Sequence, residues 1–263
     1  MNGLMVSLDH VQFFLLMFVR VVTMVLLLPV FGNNSIPAQL KVALSLLLTI
    51  ALFSTQLAAG LPPAPSNLST GVFVLLVAKE AMVGLAVGFA ASFLFTAVQF
   101  AGHLVDTEMG FGFVEMVDPF TDQSVTALGQ MQVILFTILF LLFNGHYFLL
   151  ISIQKSFELI PLMGAHFPGD QMSVHVTGMI SDIFVVAFKL SAPIFVTLLL
   201  TEIALGVVAR TVPQINIFFV GMPLKIFVGM GTTVIVLPML ATLFRRLVEA
   251  LMQDIWKLLY LMS

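Results

Sequence analysis

The chain has 263 residues, 60% of them hydrophobic and 9% charged, with a mean hydropathy of +1.14. A soluble domain carries about 25% charged residues, so this composition describes an integral membrane protein. A net charge of only −3 makes nucleic acid a poor partner, and the lack of cysteine excludes disulfide frameworks, zinc ribbons and iron–sulfur clusters.

Six apolar runs near 20 residues each predict about six long helices of membrane grade, an all-α protein. The first, 11–28, holds Arg20 and is closed by Pro29; Asn33-Asn34-Ser35 and Pro37 mark a turn. No Lys or Arg precedes it, which argues against a cleavable signal peptide. The second run, 42–59, is uncharged, and Pro62, Pro63 and Pro65 stiffen the connection that follows it. The third, 71–100, contains Lys79, Glu80, Gly84 and Gly88. The fourth starts near Gln130 and stays apolar to Ile151, across Asn144-Gly145-His146. A second polar connection, 152–177, contains Pro161 and Pro168. The fifth run, 183–209, carries Lys189, Pro193 and Glu202. Pro213-Gln214-Ile215-Asn216 breaks the chain before the sixth, 217–244, which carries Pro223, Lys225 and Pro238. From 243 to 261, Leu243, Leu247, Leu251, Ile255 and Leu259 recur every four residues. That stretch predicts an amphipathic helix, resting on the membrane surface or docked on a cytoplasmic partner. Basic residues divide almost evenly between the two sides, so charge gives no orientation.

Arg20, Lys79, Glu80, Lys189 and Glu202 lie inside these runs. Each costs roughly 2.5–3.5 kcal/mol at a bilayer centre on insertion scales. They are expected to form interhelical ion pairs with neighbouring subunits, in preference to proton or substrate relays. Between the third and fourth runs lies a segment of one charge sign: Asp106, Glu108, Glu115, Asp118 and Asp122, with no Lys or Arg from Glu80 to Gln154. Like charges at helical spacing, with Gly110, Gly112 and Pro119, oppose a helix. The expectation is an acidic loop with Phe111 and Phe113 exposed, and Met109 and Met116 able to form a soft seal.

His103, Asp106 and Glu108 find no further metal ligands nearby in sequence, and EF-hand spacing, HExxH, GxSxG and a phosphate loop are absent. Gly110-Phe111-Gly112-Phe113 places Phe where an aspartyl intramembrane protease requires Asp. No enzyme activity, metal or cofactor is predicted.

In their order and spacing, several motifs resemble the FliR family of flagellar type III export components, whose injectisome homologue is SctT. They are Arg20 with Pro29-Val30-Phe31-Gly32 and Ile36-Pro37; Lys79-Glu80 with Gly84 and Gly88; Gly102; Met109-Gly110-Phe111; Asp118-Pro119; Asn144-Gly145-His146; Ser156-Phe157 and Pro161; and Pro213-Gln214-Ile215-Asn216 with Gly221, Pro223 and Lys225. The resemblance implies a FliP-like part, 1–177, with a plug loop at 106–122. A FliQ-like helical hairpin follows at 178–250, then an amphipathic tail at 251–263. It implies kinked helices packed in a helical hetero-oligomer around a central channel, with FliP-, FliQ-, FlhB- and FlhA-like partners, unfolded export substrates and membrane lipid. It also implies a place in the bacterial inner membrane at the flagellar basal body, projecting toward the periplasm.

On that reading Met109, Gly110, Phe111, Gly112 and Phe113 gate the channel, the glycines let the plug rearrange, and Asp118-Pro119 anchors its far end. Plain subunit packing is the alternative role for the loop. Arg20, Lys79, Glu80, Lys189 and Glu202 become subunit-contact charges, and Pro213, Gln214, Asn216, Pro223 and Lys225 a FliQ-like turn. The alternatives are an injectisome homologue, or a small-solute or ion transporter with Lys79, Glu80 and Glu202 at a midplane site.

Overall fold

The computed structural model describes residues 8–33, 35–59, 69–111, 127–214 and 216–263. Among them are seven helices and no strand: α1 (Leu8–Leu27), α2 (Ala38–Ala59), α3 (Thr70–Met109), α4 (Ala127–Leu142), α5 (Gly145–Leu159), α6 (Gly169–Thr211) and α7 (Ile217–Met262). In hydrocarbon each backbone donor and acceptor must be satisfied within its own segment, which a helix does. Five helices are long and apolar enough to cross a membrane; α4 and α5, counted as one broken span, make a sixth. The break falls at Asn144, whose φ of 58° and ψ of 26° lie in the left-handed region that Asn tolerates.

Three sequence-based boundaries are corrected. The third run extends to Met109, so Asp106 and Glu108 belong to α3 and not to a loop. The polar connection 152–177 shrinks, because α5 reaches Leu159 and α6 begins at Gly169. The stretch 251–263 is no separate tail but the end of the 46-residue α7. Helices α3, α6 and α7 hold 40, 43 and 46 residues. At 1.5 Å per residue each is roughly 60–70 Å along its path, about twice a bilayer's hydrocarbon core.

The chain forms two compact units, one from Met1–Ser92, Asn144–Met179 and Ala250–Ser263, the other from Phe93–Phe143 and Ile180–Glu249. All but the ends of the hairpin expected at 178–250 falls in one unit with residues 93–143. In the first unit, Phe13, Leu16, Met17, Val21 and Met24 of α1 are buried, as are Val83 and Val87 of α3 and Leu149 and Ile153 of α5. Phe14 meets Phe53 of α2 edge-on, with ring centroids 5.6 Å apart. Pro29 ends α1, and the turn folds back with Gly32 N donating to Leu28 O at 2.7 Å. A Cβ on Gly32 would overlap Leu26 O, and Lys41 Nζ donates to Gly32 O at 2.8 Å, so this turn needs both residues.

The last turns of α7 also belong to the first unit, where Ile255, Leu258, Leu259 and Met262 are buried. His166 N donates to Met262 O at 2.9 Å, and His175 Nε2 lies 3.2 Å from Asp254 O. From Leu251 to Met262 the apolar side of the predicted amphipathic helix is thus buried within the first unit. In the second unit, aromatic pairs hold the helices: Phe95–Phe140, Phe100–Phe184 and Phe136–Phe244. Phe188, Leu200, Phe219, Phe227, Val234 and Ile235 of α6 and α7 stay exposed, a face fit for lipid or protein.

Candidate functional site

Two polar junctions stand out. The first lies in the first unit and begins with a pattern on α3. Glu80, Gly84 and Gly88 are four apart and share one helix face. A Cβ on Gly84 would overlap Thr23 Oγ1 and lie 2.6 Å from Arg20 O; one on Gly88 would lie 2.7 Å from Leu27 Cβ. The glycines bring α3 backbone to backbone with α1, as small residues do between membrane helices. One turn earlier, Glu80 meets Arg20.

Arg20 Nε donates to Glu80 Oε2, and both side chains are fully buried. Arg20 Nη1 donates to Ser156 O at 2.9 Å and Ile160 O at 2.8 Å. Those carbonyls close the C-terminus of α5, where the helix dipole favours a cation. The guanidinium also sits 4.5 Å from the Phe157 ring centroid, and Glu80 Oε1 accepts from Met163 N at 2.9 Å. Pro161 follows directly and stops α5. Arg20 and Glu80, expected to meet charges on neighbouring subunits, therefore answer each other inside the chain. The Gly84 and Gly88 stripe brings α1 and α3 close enough for the two side chains to meet. Lys79, next to Glu80, points about 100° away. Lys79 and Lys189 are exposed and form no ion pair among the described residues.

The second junction lies in the second unit, at the end of α3. Gly110 has φ +95°, its N donates to Thr107 O at 3.1 Å, and Phe111 N donates to Asp106 O at 3.0 Å. This pair of reversed bonds is a Schellman stop, which needs a left-handed residue and so favours glycine. The conformational freedom of Gly110 thus ends a helix here. The stop turns Phe111 back onto the buried cluster of Val105, Met109, Ile194 and Leu198. Met109 is fully buried, and a Cβ on Gly229 would overlap its Cε, so α7 offers bare backbone to that methyl.

Beside Met109, Lys225 Nζ lies 3.2 Å from Glu202 Oε2. A cleft of about 350 Å³ is lined by Met109, Gly110, Glu202, Gly221, Met222 and Lys225. The fold thus gathers residues expected at a gate, a charge expected at a subunit contact and a residue expected in a FliQ-like turn in one place. Glu202, like Glu80, finds its counter-charge within the chain. Pro213, Gln214 and Asn216 form the exposed α6–α7 turn, and Asn216 O accepts from Phe219 N at 3.2 Å, the N-cap position of α7. Pro223 sits inside α7. Gly112, Phe113, Asp118 and Pro119 lie outside the described residues.

Several partners gave no signal in the sequence: Thr23, Met163, Gly129, and the carbonyls of Ser156 and Ile160. Asp106, expected in an acidic loop and weighed as a metal ligand, instead accepts from Gly129 N at 2.8 Å. No group of three metal-capable side chains occurs among the described residues.

Long apolar helices, joined by buried polar junctions and with whole faces exposed, define an integral membrane protein built to pack against lipid or other proteins. Residues 11–251 match the family described as bacterial export proteins, family 1, and the chain belongs to that family. It is similar to the flagellar biosynthetic protein FliR of Bacillus subtilis (strain 168), 32% identical over 252 residues that cover 95% of each chain. The FliR of Escherichia coli (strain K12) is 29% identical over 222 residues, 84% of this chain and 83% of that one. The surface presentation of antigens protein SpaR of Shigella sonnei is 28% identical over 221 residues, 82% of each. The family resemblance drawn from the motifs is borne out.

Proposed function

We propose that this chain is a structural and gating subunit of a flagellar protein-export channel in the bacterial inner membrane, needed to move flagellar building blocks outward and so to assemble the flagellum. The observation that carries this is the end-to-end likeness to a flagellar FliR, 32% identical over 95% of each chain. It works with FliP-, FliQ-, FlhB- and FlhA-like proteins, passes unfolded substrates and carries out no chemistry of its own. The exposed apolar faces of α6 and α7 and the exposed Lys79 and Lys189 are the surfaces such partners would cover. The likeness to SpaR relates the chain to injectisome proteins at lower identity, which favours the flagellar reading. A transporter site made of Lys79, Glu80 and Glu202 is disfavoured, because Glu80 is paired with Arg20 and Glu202 with Lys225.

Deleting the gene in its host is expected to abolish swimming and the appearance of flagellar proteins in the medium, with restoration from a plasmid copy. Normal flagella in the deletion strain would refute the flagellar role. Purification discriminates further. An export-gate subunit comes out with FliP- and FliQ-like chains, whereas a stable symmetric homo-oligomer would favour a transporter. Within this reading Met109 to Phe113 gate the channel and Asp118-Pro119 anchors the far end. Deleting Gly110 to Phe113 is expected to raise ion leakage with assembly intact; lost assembly with unchanged leakage would assign the segment to packing.

A further inference from the structure

Asp106 is fully buried in the last turns of α3, and its two acceptors serve two different helices. Its main-chain oxygen accepts from Phe111 N at 3.0 Å, completing the stop of α3. Its side-chain Oδ2 accepts from Gly129 N at 2.8 Å. Gly129 is the third residue of α4, so its N–H is one of the amides that a helix leaves without an internal acceptor. The carboxylate also faces the positive end of the α4 dipole. One residue therefore closes the C-terminus of one helix and the N-terminus of the next.

The surrounding glycines make this reach possible. Gly102 lies one turn before Asp106 on the same face of α3. A Cβ there would stand 3.0 Å from Gly129 Cα and 3.2 Å from Gln132 Oε1. Only a close approach of two glycine backbones brings α4 within range of a side chain as short as Asp. A longer Glu would overshoot, and a larger residue at 102 would push α4 away. Desolvating a carboxylate is costly unless it is hydrogen-bonded, so Asp at a fully buried position calls for a role that an apolar residue could not fill.

We propose that Asp106 is a positioning residue of the gate: it clamps the first turn of α4 to the last turn of α3, and so fixes Met109 and Phe111 where they pack. The proposal rests on the gating reading given above and adds to it the residue that sets the gate's footing. The carboxylates of this region thereby separate in role. Asp106 faces a helix end inside the protein, whereas Glu108, two residues on, is only partly buried.

The test uses the assembled, co-purified complex, comparing the native chain, Asp106→Asn, Asp106→Ala and the Gly110–Phe113 deletion. Two quantities are read: hydrogen exchange of the Gly129 amide, and ion leakage through the complex in vesicles. Losing a hydrogen bond to a charged group corresponds to about tenfold or more in the opening equilibrium. Asp106→Ala is expected to speed Gly129 exchange by about that factor and to raise leakage several-fold. Asp106→Asn keeps the acceptor and is expected to restore both readings to within about threefold of the native chain, since Asn and Asp cap helices comparably. Should Asp106→Ala fail to assemble, the Asn variant and the exchange of the native Gly129 amide decide: an unprotected native amide overturns the clamp. Faster exchange without leakage in Asp106→Ala, while the deletion leaks, also overturns the proposal and leaves the gate standing. An Asn variant as impaired as the Ala variant overturns it too, because a plain hydrogen-bond acceptor would then not suffice. No leakage from the deletion itself removes the gating reading, a different result from any that concerns Asp106 alone.

Discussion

Among the described residues, two interhelical ion pairs have similar chemistry and opposite character. Arg20–Glu80 is sealed, with both side chains at 0% exposure, and the arginine has further acceptors in the carbonyls of Ser156 and Ile160. Glu202–Lys225 is open, with side chains 56% and 18% exposed at the wall of a cleft. The glycines around them differ in the same way. Gly84 is hemmed by the main-chain oxygen of Arg20, which cannot yield, whereas Gly229 is hemmed by the tip of Met109, which can. The comparison teaches that the sealed junction of the first unit is a brace in which neither partner can be lost alone. The contacts at the cleft of the second unit can be exchanged, a property suited to a part that meets partners or moves.

Breaking one half of the sealed pair should give the largest effect. Arg20→Ala or Glu80→Ala leaves a buried charge without its partner, at a cost of about 3–5 kcal/mol. The measurement is thermal unfolding of the purified complex, or the amount of protein in membranes. The double variant Arg20→Met/Glu80→Leu should recover most of that loss, since apolar replacement of a whole buried pair is often neutral. If either single variant were as stable as the native chain, the junction would not be a brace. The next effect sharpens the contrast between the glycines. Gly84→Ala is expected to cost about 1–3 kcal/mol by overpacking against backbone, and Gly229→Ala under about 1 kcal/mol as the methionine swings aside. Equal losses at the two positions would erase the distinction between a rigid and a yielding contact. The smallest effect belongs to the open pair: Glu202→Gln should change stability by only about 0.2–1 kcal/mol, as exposed pairs do. A loss comparable to that of Glu80→Ala would mean that the open pair braces the fold as firmly as the sealed one.

Much of the fold was legible because hydrophobic run length in a membrane protein is a strong constraint. The six runs correspond to the spans, although the fourth was read straight across Asn144-Gly145-His146, where α4 and α5 break. What stayed hidden depends on distant partners. Asp106 read as a loop residue because neighbouring carboxylates oppose a helix; its acceptor role on Gly129 lies 23 residues away and leaves no local trace. The Glu80-Gly84-Gly88 pattern was visible as a motif, but nothing in it said that Arg20, 60 residues earlier, stood opposite. The periodic leucines of 243–261 announced an apolar face without saying what covers it; from Leu251 on it is buried within the first unit. Met109 and Gly110 stood out in the sequence as neighbours in one motif, whereas their company at the cleft, Glu202 and Lys225, arises only when α3 meets α6 and α7.

The sealed junction also has a consequence in time. Ile160, one of the acceptors of Arg20, lies 140 residues further along the chain. At about 5–20 residues per second, the ribosome needs on the order of ten seconds to make that stretch. Until Glu80 is made, 60 residues on, α1 carries a guanidinium with neither its carboxylate nor its helix end, and it bears the roughly 2.5–3.5 kcal/mol of an unmatched arginine in hydrocarbon. For the rest of the interval it has the carboxylate but not the helix end. The seating of α1 is therefore complete only once the chain has been made through Ile160.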